Sequence, residues 1–142
     1  MFTGLLFALG AAVTWGLVYT VNEKVLHDAA PLAILFIGSI VTALITLPVL
    51  VFRWDSVRHV VSGGRSLWAL VVLGEVLVFL ANFFILSSIK QLGAAHASIL
   101  EITYPFFVLL FGWLFFGGSV NAYFWLGSAL VFAGSAVIIK FA

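Results

Sequence analysis

Five long apolar stretches, separated by short polar connections, account for nearly all of the sequence. Each is close to the roughly 20 residues that a helix needs to cross about 30 Å of hydrocarbon, whereas strands of a membrane β-barrel are about 10 residues long and alternate in polarity. The pattern therefore predicts an all-α membrane protein, a bundle of five transmembrane helices in one domain of residues 1–142. The predicted helices cover about residues 2–22, 32–52, 67–88, 94–116 and 123–141.

Charged and turn-forming residues occur mainly in the connections between these stretches. The first helix is followed by four polar residues: Glu23, Lys24, His27 and Asp28. Residues 56–66 are the most hydrophilic part of the chain and are predicted to form a loop, because they combine charges with two adjacent glycines. Gly93 and residues 117–121 are predicted to turn the chain before the last two helices.

Composition points to the same class and excludes several functions. Of the 142 residues, 65% are hydrophobic and 8% are charged, with a mean hydropathy of +1.31, which lies far outside the range of soluble domains. The formal charge is +1 without a basic stripe, so nucleic acid is not an expected partner. The absence of cysteine excludes disulfides, thiolate nucleophiles and Cys-based metal sites.

The basic residues do not favour one orientation in the membrane. The side of the N-terminus receives three arginines and the opposite side three lysines: Arg53, Arg58 and Arg65 against Lys24, Lys90 and Lys140. The rule that orients helices by an excess of Lys and Arg then gives no answer. Either the chain inserts in both orientations, or the clustered arginines dominate and place the N-terminus in the cytoplasm.

Two acidic residues lie well inside predicted helices and are the main candidates for chemistry. Glu75 is about 12 Å into the third helix and Glu101 about 10 Å into the fourth, where a charge costs several kcal/mol. Asn82 follows Glu75 on the same helix face, which predicts an inward polar stripe. Either the carboxyl groups bind a cation or exchange a proton with substrate, or they stay protonated and bond a neighbouring helix, for instance through Asn82, Ser98 or Thr103.

A proline and an aromatic pair add to this candidate site. Pro105 cannot donate a hydrogen bond to the Glu101 carbonyl, which predicts a helix break of the kind that lines cavities. Trp15 and Tyr19 share one face of the first helix and could line a pathway, although contacts between helices explain such a stripe equally well.

Metal and catalytic chemistry receive no support from the sequence. The three histidines lack the spacing of metal ligands: His27, His59 and His96. Ser98 and His96 are two residues apart and project from different faces of a helix, so they do not form a nucleophile and base. The expectation is a protein without enzymatic activity, metal or cofactor.

The second half of the chain contains small and aromatic motifs in a recognisable order. They are Ser98, Glu101, Tyr104-Pro105, the run Leu110–Gly117, the run Trp125–Leu130, and Ala133-Gly134. This order resembles the EamA-type repeat of the drug/metabolite transporter superfamily, and the first helix around Trp15 is similar more loosely. Gly118 departs from the pattern, since many members carry an acidic residue there, and no role is assigned to a charge at that turn.

The resemblance implies a fold, a partner and a function. The family usually has ten helices as two inverted repeats, so one repeat is expected to pair with an oppositely oriented copy as an antiparallel homodimer with dual topology. It implies a small secondary transporter in the inner (plasma) membrane that moves small metabolites or drug-like molecules by alternating access, with proton coupling as an option. The alternative is a lipid-handling or accessory subunit that needs a partner protein.

The predicted site for substrate and protons combines these observations. It contains Glu101, Glu75, Asn82, Tyr104, Trp15 and Tyr19, with Pro105 as the helix break. Such a set of aromatics, an amide and two carboxyl groups suits cations, zwitterions and neutral metabolites alike, so the sequence predicts a site without naming its substrate.

Overall fold

A computed structural model describes residues 2–119 and 121–141 of the chain. Its elements are α1 (Phe2–Leu26), α2 (Pro31–Phe52), α3 (Trp54–Ser62), α4 (Gly64–Leu92), α5 (Ala94–Glu101), α6 (Tyr104–Phe116) and α7 (Ala122–Phe141). Five segments are long and apolar enough to cross a membrane, α5 and α6 together forming one of them. Within the described ranges every regular element is a helix, so the predicted all-α five-helix fold is confirmed.

Two membrane helices extend past their predicted ends. α1 continues through Glu23 and Lys24 to Leu26, and α4 covers 29 residues, where residues 67–88 were expected. Glu, Lys and Gln are good helix formers, and their long side chains reach water from the last turns of a membrane helix. Polarity therefore ends the apolar stretch without ending the helix.

The connection at residues 56–66, predicted to be a loop, contains a helix instead. α3 is 9 residues long, too short to cross a membrane. Its spacing places Trp54, Val57 and Val61 on one face, while Asp55 and His59 project from another side. The hydrophilic composition indicated a loop, but the apolar residues recur with the period of a helix.

The fourth membrane segment, predicted as one helix over residues 94–116, is interrupted. α5 ends at Glu101, and Ile102 and Thr103 form a turn before α6 begins. The Ile102 N–H donates to the Ser98 carbonyl at 3.0 Å and the Thr103 N–H to the Leu100 carbonyl at 3.3 Å, so the chain tightens at the end of α5. The physical reason is the proline at the start of α6, which lacks the N–H that would continue the ladder.

Helix packing is tight at one end of the bundle and loose at the other. α1 and α4 end, and α5 begins, around a buried core of six residues: Tyr19, Leu26, Leu86, Ile89, Ala94 and Ala97. α2 packs on α4, and α7 packs on α5 and α6. Most other apolar side chains are exposed, as expected for surfaces that contact hydrocarbon or another membrane protein.

Two polar contacts hold neighbouring segments together at and near this tight end. The Lys90 ammonium donates to the Ala29 carbonyl at 2.8 Å and so ties α4 to the connection between α1 and α2. The Ser135 hydroxyl donates to the Ile99 carbonyl at 3.1 Å, linking α7 to α5. Ser135 is buried, and its small side chain permits the close approach that is common between membrane helices.

Gly93 allows α4 and α5 to meet at a sharp turn. Its φ of 83° and ψ of 160° lie in a region that is essentially restricted to glycine. A Cβ at this position would also lie 2.9 Å from Oε1 of Glu23 on α1. The turn therefore requires glycine both for its backbone conformation and for the approach of α1.

The Gly93→Ala variant is expected to lose roughly 1–3 kcal/mol of stability, because alanine is strained at this φ and ψ. Thermal unfolding in detergent measures the loss. Gly38→Ala is the matched control, since a Cβ at Gly38, inside α2, meets no atom within 4 Å. An equal midpoint for both variants would contradict this role of Gly93.

Candidate functional site

The carboxyl group of Glu101 lies at the interruption of the fourth membrane segment. Glu101 is the last residue of α5 and is half-buried. The hydroxyl of Tyr19 on α1 donates a hydrogen bond to its Oε2 atom. Tyr19 is only 7% exposed, so this bond joins α1 to α5 at the border of the buried core.

The local sequence explains why an acceptor-rich site forms here. Pro105 has no N–H with which to bond the Glu101 carbonyl, so a main-chain oxygen and a carboxylate of the same residue lie together at a helix end. Both groups accept hydrogen bonds, and the C-terminal end of a helix carries partial negative charge. The arrangement can therefore bind a cation or a proton donor.

Aromatic side chains lie near this site on α1 and at the start of α6. The rings of Trp15 and Tyr19 are 5.6 Å apart and tilted by 54°. Trp15 is 48% exposed, and Tyr104, which begins α6 across the turn, is 60% exposed. The two exposed rings offer apolar faces and polar edges to a ligand that approaches the carboxylate.

Glu75 lies in a different environment. It is exposed on α4, in a shallow groove of about 400 Å³ whose other lining residues are Trp68, Val71, Val72, Val76 and Phe79. The expected inward polar stripe is therefore not enclosed within a single chain. The physical reason is that α4 is covered by α1 and α5 only towards its C-terminal end, where Leu86 and Ile89 are buried.

The residues expected as hydrogen-bond partners of the carboxyl groups bond their own helices. Asn82 donates to the Val78 carbonyl at 2.9 Å, Ser98 to Ala95 at 2.9 Å, and Thr103 to Leu100 at 2.8 Å: all three are intrasegment bonds. The partner of Glu101 is Tyr19, 82 positions away. The sequence marks Tyr19 as a candidate pathway residue, but no local pattern signals its pairing with Glu101.

A second cavity lies between the interruption and α7, and one of its lining residues is Pro105, where the sequence predicts a helix break of the kind that lines cavities. It has a volume of about 250 Å³ and is lined by Ile102, Thr103, Pro105, Phe106, Tyr123, Phe124, Gly127, Ser128, Val131 and Phe132. The small residues of α7 are a further sequence signal for it, and they are explained equally well by helix packing. The turn at Ile102 and Thr103 thus has open space beside it.

These features define a class of protein: a multi-pass α-helical membrane protein whose interrupted helix presents a carboxylate inside the membrane region, as discontinuous helices do in secondary transporters. The model of the EamA-like transporter family matches residues 2–140, and the chain belongs to this family. It is therefore a membrane transporter of the drug/metabolite type, and the resemblance predicted from sequence is confirmed. No curated protein and no solved structure matches the chain.

The Tyr19→Phe variant is expected to lose about 1–3 kcal/mol of stability, because a half-buried carboxyl group loses its hydrogen-bond donor. Tyr104→Phe removes the same hydroxyl from an exposed ring and should change stability by no more than about 0.5 kcal/mol. Thermal unfolding in detergent compares the two variants. Equal losses would show that the bond between Tyr19 and Glu101 does not stabilise the fold.

Proposed function

We propose that the protein is a secondary transporter that moves small metabolites or drug-like molecules across the inner (plasma) membrane by alternating access. It works as an antiparallel homodimer, and its transport is coupled to the movement of protons. One observation carries the proposal: the bond from Tyr19 to Glu101 joins two helices beside an interrupted segment. A carboxyl group that both binds ligand and holds helices together can link binding to movement.

Binding is coupled to helix movement because the ligand and the Tyr19 hydroxyl bind the same carboxyl group, that of Glu101. The Tyr19 hydroxyl donates a hydrogen bond to one carboxyl oxygen of Glu101. A proton or a cationic group of the substrate competes for the same oxygen atoms and weakens the link between α1 and α5. The turn at Ile102 and Thr103 then allows α5 to move relative to α6, because few main-chain hydrogen bonds cross it.

The aromatic residues of the proposed site contact the transported molecule on the open side of Glu101, whereas its polar residues on α4 lie where two copies of the chain meet. Trp15 and Tyr104 present exposed rings there, and Glu75 and Asn82 lie on the partly uncovered helix α4. A second copy in the opposite orientation would cover these surfaces and complete the walls of a pathway, as in transporters built from inverted repeats. The equal number of Lys and Arg on the two sides is compatible with insertion in both orientations.

Transport is tested with purified protein in liposomes, using ethidium, alanine and glucose as an organic cation, a zwitterion and a neutral solute. An imposed pH gradient is expected to drive at least one of them faster than in empty liposomes. Glu101→Gln should abolish the response to the gradient, because a carboxamide cannot exchange a proton.

The matched control is Asp55→Asn, which makes the same charge change on α3, outside the membrane spans. It should transport like the unmodified chain. Retained gradient dependence in Glu101→Gln would exclude proton coupling through this residue. Flux no faster than in empty liposomes for all three solutes would favour an accessory subunit that requires a partner.

Orientation can be measured because the chain has no cysteine. Ser62 is exposed at the end of α3, outside the membrane spans, and Ser62→Cys provides a single thiol there. About half of the copies should react with an impermeant maleimide in intact cells, relative to lysed cells, if insertion is unbiased. Reaction of all copies, or of none, would exclude an antiparallel homodimer.

A further inference from the structure

One face of α4 combines a carboxyl group with an apolar surface that nothing in the described chain covers. We call it the Glu75 face, and it consists of Trp68, Val71, Val72, Glu75, Val76 and Phe79. All six residues are exposed. They lie on one side of the helix, since they follow one another at intervals of three or four residues or are direct neighbours.

This face continues the side of α4 that forms the core. Leu86 and Ile89 lie 11 and 14 residues after Glu75 in the numbering of the chain, which places them on nearly the same side of the helix. α1 and α5 bury these two residues at the tight end. The Glu75 face is therefore the unpartnered half of an inward-facing helix surface.

Hydrocarbon is an unfavourable occupant of this face. Ten residues of helix rise about 15 Å, half the thickness of a bilayer core. Counted from Glu75, that distance reaches Arg65 in one direction and Ile85, shortly before Ser87 and Ser88, in the other. Glu75 thus lies near the bilayer centre, too deep for its short side chain to reach water.

We infer that the Glu75 face binds the same face of a second, oppositely oriented copy of the chain, with the two Glu75 carboxyl groups meeting at the two-fold axis. The inference rests on the proposed homodimer and adds the surface through which it forms. A membrane-plane axis relates residues at equal distances from the bilayer centre, so only a residue near the centre can meet its own copy.

The sequence around Glu75 is complementary to itself in this orientation. Trp68 precedes Glu75 by seven residues and Asn82 follows it by seven, so the antiparallel arrangement places Trp68 opposite Asn82 of the second copy. An indole N–H only donates, and the Asn82 carboxamide oxygen can accept. A parallel pair would instead place Trp68 against Trp68, a donor against a donor.

The carboxyl groups themselves also favour an identical partner. A protonated carboxyl group can donate to a carboxylate, and two adjacent carboxyl groups do not both ionise readily. Val71 and Phe79, one turn on either side of Glu75, would pack across the axis and exclude lipid.

Disulfide formation tests the inferred face in the cysteine-free chain. Glu75→Cys should form a disulfide-linked dimer under mild oxidation. Val71→Cys and Phe79→Cys, expressed with different tags, should form a mixed disulfide when they are coexpressed, because position 71 of one copy lies opposite position 79 of the other. Each variant expressed alone should form far less disulfide, since the Cα atoms of a disulfide must be about 4.4–6.8 Å apart. Leu130→Cys, exposed in the middle of α7, is the control and should stay monomeric.

The outcomes separate this inference from the proposed homodimer. Energy transfer between donor- and acceptor-labelled Ser62→Cys copies in liposomes reports association at any surface. Association without disulfides at positions 71, 75 and 79 would be consistent with a dimer, but it would reject the inference that the dimer forms through the Glu75 face. Disulfides within the Val71→Cys and Phe79→Cys samples alone would show a parallel pair, and a lack of association would reject both proposals.

The contribution of the carboxyl pair is measured by the same energy transfer on dilution with lipid. Glu75→Gln can still form a side-chain hydrogen bond across the axis and should retain association. Glu75→Leu should raise the dissociation constant roughly three- to thirtyfold, as expected for loss of a hydrogen bond between membrane helices. An unchanged constant for Glu75→Leu would show that the carboxyl groups do not meet.

Discussion

Hydrocarbon offers no hydrogen bonds, so every polar group that this chain places inside the membrane must find a partner within the protein. The helices satisfy this requirement for most of the backbone, which is why helical spans dominate the described structure. The interruption before Pro105 is the place where the ladder is broken, and the Glu101 carboxylate beside it is satisfied by the Tyr19 hydroxyl. The same requirement applies to Glu75, which the described part of the chain leaves exposed, and it is the basis of the inferred dimer contact.

The helices pack tightly at one end of the bundle and loosely at the other, and both properties suit a transporter. Around Tyr19 and Ile89 the helices form a compact core, and the hydrogen bond from Lys90 to the Ala29 carbonyl adds to it. Towards the other end of α4 the neighbouring helices no longer cover the helix. A transporter needs both properties, because a firmly packed end can close one side of the membrane while a loosely packed region changes its contacts.

In the proposed site at Glu101, ligand binding and helix packing compete for the same carboxyl oxygen. Tyr19 belongs to the core, yet its hydroxyl lies on the carboxylate that faces the open side. Any ligand that takes over this oxygen changes the contact between α1 and α5, and the two-residue turn at Ile102 and Thr103 lets α5 respond separately from α6. A ligand shifts such an equilibrium only through this difference in contacts between states.

The sequence by itself determined the membrane class and the five spans, and it singled out Glu101 and Pro105 as candidates, because apolar length and the cost of buried charge act locally along the chain. It also predicted Tyr19 and Trp15 as candidate pathway residues. Only the tertiary structure decided that Tyr19 bonds Glu101, since that contact joins residues 82 positions apart. It likewise decided that Glu75 lies on an uncovered face, because exposure depends on where neighbouring helices end or diverge, and no helix periodicity contains that information.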